Sequence, residues 1–205
     1  MKLCLKKTLI TAIALSSCMN AFADNWMVRT RALSVMPEVS GTPSGIGGDV
    51  RINNQSVPEL DFSYFFTKNF ALELILATTT HQVGVKGSAI NNVDLGSVSL
   101  LPPTLLAQYH YEWGNFKPYV GAGLNYTMFY DSQSGDVNSV KYDNSFGYAL
   151  QVGLDYKITE KVYLNLDVKK LYLSTEARVN AGGTKVKADV DIDPLLVGVG
   201  IGYRF

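Results

Sequence analysis

The C-terminal stretch Leu196-Val197-Gly198-Val199-Gly200-Ile201-Gly202-Tyr203-Arg204-Phe205 decides the fold. Large apolar residues occupy every second position, and glycine or arginine fills the places between. A period of two marks an extended strand, because successive side chains of a strand point to opposite faces. Glycine weakens a strand, so three glycines on one face mark a side where bulk does not fit.

The same pattern recurs upstream. Stretches of about ten alternating residues run over Trp26 to Val35, Val57 to Phe66, Phe70 to His81, Leu101 to Tyr111, Lys117 to Tyr130, Phe146 to Lys157 and Val162 to Leu173, and Ile192 to Phe205 completes eight. Eleven residues at about 3.3 Å each, tilted about 40°, rise about 28 Å, which matches the hydrocarbon thickness of a bilayer. Soluble strands average about half that length. Connections alternate between long polar ones (Pro37 to Ser56, Gln82 to Leu100, Asp131 to Ser145, Ser174 to Asp191) and tight ones (Thr67 to Asn69, Glu112 to Phe116, Ile158 to Lys161). The expected fold class is all-β: an eight-stranded antiparallel transmembrane β-barrel of the outer membrane, with short periplasmic turns and long extracellular loops.

Composition narrows the function. The 205 residues are 47% hydrophobic and 18% charged, with 18 basic and 18 acidic residues, a balance that excludes both a disordered tail and a nucleic-acid-binding surface. No segment after the leader has the roughly 18 to 20 consecutive apolar residues that a membrane helix needs. Residues 1–23 form a secretory signal: Lys2, Lys6 and Lys7, an apolar Leu9 to Leu15, and the cleavage site Ala21-Phe22-Ala23. A rival reading takes Leu15-Ser16-Ser17-Cys18 as a lipoprotein box, disfavoured by the serine before the cysteine. Cleavage after Ala23 removes both cysteines, Cys4 and Cys18, so residues 24–205 have no disulfide and a closed ladder must hold the domain together.

Alternation alone does not say which face looks inward, since a soluble lipocalin-like barrel shows the same pattern inverted. The charges share their face with Gly121, Gly123, Gly147, Gly153, Gly198, Gly200 and Gly202. A narrow eight-stranded lumen needs small residues beside large ones, so that face is the interior and the apolar face looks into lipid. Sorted by depth, the periplasmic half of the lumen is a polar floor of Arg29, Arg31, Glu59, Asp61, Glu73, Gln108, His110, Asp155, Asn165, Asp167, Lys169 and Arg204. Such charges persist in a narrow interior only when paired; the floor is a rigidifying plug or, alternatively, an ion path. The outer half is a hydrophobic lumen of Leu33, Val35, Val57, Ile75, Leu106, Phe129, Leu171, Leu173 and Leu196, which is either ordinary packing or an entrance for small hydrophobic molecules. A solute stopped by the floor would have to leave sideways. Pro102 and Pro103 donate no ladder hydrogen bonds, so they break the wall there or simply mark where loop becomes strand.

Catalytic and metal chemistry find no set of residues. His81 and His110 fall at opposite ends of neighbouring strands, and Asp189, Asp191 and Asp193 lack the glycine and glutamate of a calcium loop. No catalytic residue, metal site or cofactor is expected.

Four motifs carry a resemblance: Leu101-Pro102-Pro103-Thr104-Leu105 with Gln108-Tyr109, Lys117-Pro118-Tyr119-Val120-Gly121-Ala122-Gly123-Leu124-Asn125-Tyr126, Gln151-Val152-Gly153-Leu154-Asp155-Tyr156, and Asp193-Pro194 with the terminal Gly202-Tyr203-Arg204-Phe205. Over essentially all of residues 24–205 the chain resembles the outer membrane protein W (OmpW) family, related to the alkane-uptake protein AlkL. That resemblance implies a monomeric barrel whose hydrophobic channel is blocked toward the periplasm and opens laterally. It also implies partners: outer-membrane lipid, small hydrophobic molecules and, for some members, colicins or phage. The terminal Tyr203 and Phe205 are expected to be the assembly signal for the outer-membrane machinery. A structural or receptor barrel without significant transport is the alternative function.

Overall fold

The computed structural model describes residues 25–40, 49–88, 91–181 and 184–205. The expected leader, residues 1–23, lies outside the described residues. Eight strands close into one barrel: β1 (Trp26–Met36), β2 (Gln55–Phe65), β3 (Phe70–Ala77), β4 (Thr104–His110), β5 (Phe116–Gln133), β6 (Ser145–Lys157), β7 (Val162–Ala181) and β8 (Leu195–Arg204). Each pairs antiparallel with its sequence neighbour. The last strand returns to the first, in register from Met27 opposite Arg204 to Met36 opposite Leu195. Closure gives backbone N–H and C=O groups partners within the wall, the condition for crossing hydrocarbon with strands. Among the described residues no helix is long and apolar enough to cross a membrane.

The two faces differ as alternation requires. Outward positions are large and exposed, with Leu124 at 70% and Phe146 at 80%, whereas Arg29, Asp61 and Glu73 on the inner face are sealed completely. Exposed aromatic residues concentrate at the end with the tight turns, where ring pairs such as Trp26–Tyr64 at 5.1 Å, Phe70–Tyr109 at 5.0 Å and Phe116–Tyr156 at 5.0 Å girdle the barrel. Two of the turns share one device. The Thr67 hydroxyl accepts from Phe70 N at 3.0 Å and the Thr159 hydroxyl from Val162 N at 3.0 Å, each closing a hairpin with a side chain standing in for backbone.

Glycine on the inner face marks close approach. A Cβ on Gly153 would collide with the phenol end of Tyr119, and one on Gly123 would lie 2.7 Å from Leu106 Cα on the neighbouring strand. The first obstacle is a side chain, the second is backbone. Gly123→Ala is therefore expected to destabilise the barrel by about 1–3 kcal/mol through overpacking, read as a lower urea midpoint for unfolding from lipid vesicles; an unchanged midpoint would mean the strands can separate without cost.

The long connections differ from the sequence expectation, because strand fills most of Gln82 to Leu100 and Ser174 to Asp191 and about half of Asp131 to Ser145. β3 continues past Thr78 as Thr79–Ser88, which pairs with Asn91–Leu101 leading into β4. β7 pairs over its upper half with Thr184–Ile192 and Ser139–Tyr142, and Asp49–Ile52 pairs with Val83–Lys86. β5 has 18 residues and β7 has 20, about twice the 9–11 that cross a bilayer. Polar composition suggested irregular loops. The alternation of Thr79, His81, Val83 and Val85, all buried, with exposed Thr80, Gln82 and Lys86 won instead, because backbone groups gain by laddering whether or not lipid surrounds them.

Candidate functional site

Three layers fill the interior. At the turn end Met27, Phe65, Ala71 and Tyr163 form a small apolar plug. Above it lies an ionic layer, and above that an apolar chamber reaching toward the long-connection end.

The ionic layer is a connected network. The Arg29 guanidinium donates through Nε and Nη2 to both oxygens of Asp155 at 3.2 and 2.8 Å, and through Nη1 to Asp61 at 3.1 Å, Glu73 at 3.3 Å and Ser63 at 2.7 Å. Arg31 reaches Glu59 at 2.6 Å, Glu73 at 3.0 Å and Asn165 at 2.6 Å, with Asp61 Oδ2 at 2.8 Å. Lys169 donates to Glu59 at 2.8 Å and Asp167 at 2.7 Å. Neutral donors complete the shell: Gln108 and Gln151 both bond Glu73 at 2.8 Å, and the Tyr119 hydroxyl donates to Asp167 at 2.7 Å. Every carboxylate of the layer thus meets at least one cation, as buried charge requires.

Two residues grouped with the floor by sequence stand apart from the ion pairs. His110 is sealed between the rings of Phe65 and Tyr119, at 4.9 and 4.8 Å, with Nε2 on Gln108 at 3.0 Å. Arg204 is half-buried, its guanidinium 4.4 Å over the Phe65 ring. Tyr119, Ser63, Gln151 and Phe65 belong to the interior and were missed by sequence reasoning. Their parity was available, since Tyr119 lies two residues from Gly121 and Ser63 two from Asp61, but large or neutral side chains carry no charge to draw attention to it. Lys117, buried at the turn end, donates to Glu112 at 3.1 Å in the adjoining turn and holds that carboxyl below its usual range.

The chamber has a free volume of about 80 Å³, several times the ~10–15 Å³ that one water demands. Leu33, Val35, Ile75, Leu171, Leu173 and Leu196 are buried in a single cluster, with Val57 packed against them. All seven line the cavity, as does Phe129, which stacks on Tyr142 with centroids 5.6 Å apart. Leu106 joins the cluster, fully buried, but does not line the cavity. Glu59 and Lys169 close the base. Toward the top, Thr79 and His81 line one side; His81 Nδ1 bonds Asn53 O at 2.9 Å, and burial pushes the imidazole below its ordinary value, so it stays neutral at pH 7. Burial pushes the Tyr142 phenol up to about 12.

One part of the wall beside the chamber has no ladder. Pairing of β3 with β4 ends at Ile75 opposite Thr104 and resumes at Thr79 opposite Leu100, so Leu76 to Thr78 face Leu101 to Pro103 without backbone pairing. Pro102 and Pro103 supply no N–H to either neighbour. Pairing of β2 with β3 also stops, at Glu59 opposite Ala77. Ala77, Leu100 and Pro102 on either side of the break line the cavity. A side-chain bridge crosses the outside: the Tyr130 hydroxyl meets the Thr78 hydroxyl at 2.5 Å, and Thr78 Oγ1 lies 3.4 Å from Leu100 O.

Neither histidine hydrogen-bonds a carboxylate among the described residues. No group of three or more His, Cys, Asp or Glu side chains there could hold a metal ion.

Comparison with known proteins gives a consistent answer. The chain is 45% identical over 186 residues to the outer-membrane protein y4mB of Sinorhizobium fredii, covering 88% of this chain and 80% of that one. The crystal structure of the outer membrane protein OprG from Pseudomonas aeruginosa superposes with a TM-score of 0.80 at 30% identity, over 89% of this chain and 97% of that one. The solid-state NMR structure of the outer membrane protein AlkL in lipid bilayers superposes with a TM-score of 0.70 at 26% identity, over 89% and 90%. The OmpW family profile matches residues 23–205, so this outer-membrane β-barrel belongs to the OmpW family.

Proposed function

We propose that the protein is a passive channel for small hydrophobic molecules, which enter the chamber from the extracellular end and leave sideways into the membrane. Short turns face the periplasm in this reading, and the long strand pairs stand outside the cell. One observation carries it: an apolar chamber sits directly beside an unpaired piece of wall, between Leu76–Thr78 and Leu101–Pro103. Straight passage would require an apolar solute to cross the ionic layer and displace charge-assisted hydrogen bonds, which costs several kcal/mol per stranded ion. The lateral route breaks no ladder hydrogen bond at that point, and its outer surface is lipid. Membership in the OmpW family and likeness to OprG and AlkL support the same reading.

The test is uptake of 1-methylnaphthalene by cells that carry or lack the protein in an otherwise intact outer membrane. Faster entry with the protein is expected, and equal rates would overturn the reading. The side exit has its own check. Tyr130→Phe removes the bridge to Thr78, a hydrogen bond of about 1 kcal/mol net, so solute release should quicken by up to about fivefold. Slower uptake would show that Tyr130 guides the solute rather than restrains the wall.

A further inference from the structure

The base of the chamber is not apolar. Glu59 and Lys169 line it, although each side chain is almost wholly buried, at 1% and 2% exposure. Lys169 Nζ carries three hydrogens and meets two acceptors, Glu59 Oε1 and Asp167 Oδ1. Glu59 Oε1 already accepts from both Arg31 and Lys169. Glu59 Oε2 accepts no hydrogen bond among the described residues, both of the bonds to this carboxylate ending on Oε1. Nor is it one of the atoms sealed in protein without a hydrogen bond, which there are His110 Nδ1, Asn180 Oδ1 and Asp61 Oδ2, the last ion-paired with Arg31. The chamber therefore ends in one unused donor beside one unused acceptor, both charged.

A pure hydrocarbon filling the chamber would strip water from both groups and return nothing. A hydroxyl satisfies both, donating to the carboxylate and accepting from the ammonium. We propose that the chamber selects, among small hydrophobic molecules, those with a hydroxyl at one end, held between Glu59 Oε2 and Lys169 Nζ with the hydrocarbon body against Leu171, Leu196 and Ile75. This rests on the channel reading above and names its substrate class: phenols and short alcohols over the parent hydrocarbons. A hydrogen bond to a charged group in a site closed to water discriminates strongly against an isostere that cannot form it.

The experiment compares 1-naphthol with 1-methylnaphthalene, nearly the same shape, binding to the protein in lipid nanodiscs, each affinity referred to the probe's own hydrocarbon–water partition. The native protein is expected to favour 1-naphthol by about tenfold or more. The double variant Glu59→Leu with Lys169→Met removes one charge of each sign. It should bring the two probes within about twofold while 1-methylnaphthalene still binds. Equal affinities in the native protein, or a preference that survives in the double variant, would overturn the proposal. Should the double variant not insert, 1-methoxynaphthalene decides, since it accepts but cannot donate: binding as tight as 1-naphthol overturns the proposal, weaker binding upholds it. If 1-methylnaphthalene binds and enters cells without any hydroxyl preference, this inference alone fails. If neither probe binds above protein-free nanodiscs, the channel reading fails with it.

Discussion

Replacing Arg29 with methionine is expected to cost the barrel about 3–5 kcal/mol, the usual consequence of removing one partner from a buried ion cluster. Arg29 is fully buried and its guanidinium is shared by Asp61, Glu73 and Asp155. Methionine fills most of the volume, so the loss is electrostatic: Asp155 loses both bonds to a cation. The measurement is urea unfolding from lipid vesicles, followed by the fluorescence of Trp26 and Trp113. Arg29→Lys should recover only part of the loss, because a single ammonium cannot span three carboxylates as a planar fork does. Combining Arg29→Met with Asp155→Leu should be milder than Arg29→Met alone, since the stranded charge leaves with its partner. A native-like midpoint for the single variant would show that water or protonation relieves the layer.

Phe129→Arg should lower uptake of 1-methylnaphthalene about tenfold or more while leaving the barrel folded. Phe129 lines the chamber, is only half-buried and stacks on Tyr142. Arginine there can keep its head in water near the chamber's mouth, so stability should change by less than about 1 kcal/mol. A solute entering past it must desolvate a guanidinium, and each 1.4 kcal/mol of that cost is tenfold in rate. Leu106→Arg is a poorer blocking variant. Leu106 is 0% exposed and its backbone lies opposite Gly123, so a charge there would unfold the barrel before it tested transport. Uptake unchanged by Phe129→Arg, with the variant present in the membrane and shifting on unheated gels, would remove the chamber from the solute's path.

Much of this was legible because the information is local. Parity along a strand is a property of the backbone, so Arg29, Arg31, Asp155, Asp167 and Lys169 could be placed on one face with Gly153 and Gly200 from their spacing alone. Composition misled where it competed with parity. Gln82 to Leu100 is rich in glycine, serine and asparagine, yet it pairs as strand over most of its length because Val83, Val85 and Val98 keep the inward rhythm. Phe65 and Tyr119 illustrate a second failure. The sequence reading placed neither on a face, although both fill the interior, one in the apolar plug and the other against the bare face of Gly153.

The sequence by itself determined the number of membrane-crossing strands, which face is sealed and the sorting of charge below from hydrocarbon above, since each follows from side-chain alternation within single strands. Only the tertiary structure decided which ion meets which, where the wall lacks its ladder and what the chamber's base presents to a solute. Arg29 and Asp155 are 126 residues apart in the chain, and Lys169 and Glu59 are 110 apart. Such partners are chosen by closure and by register between strands distant in sequence, quantities that no single strand contains.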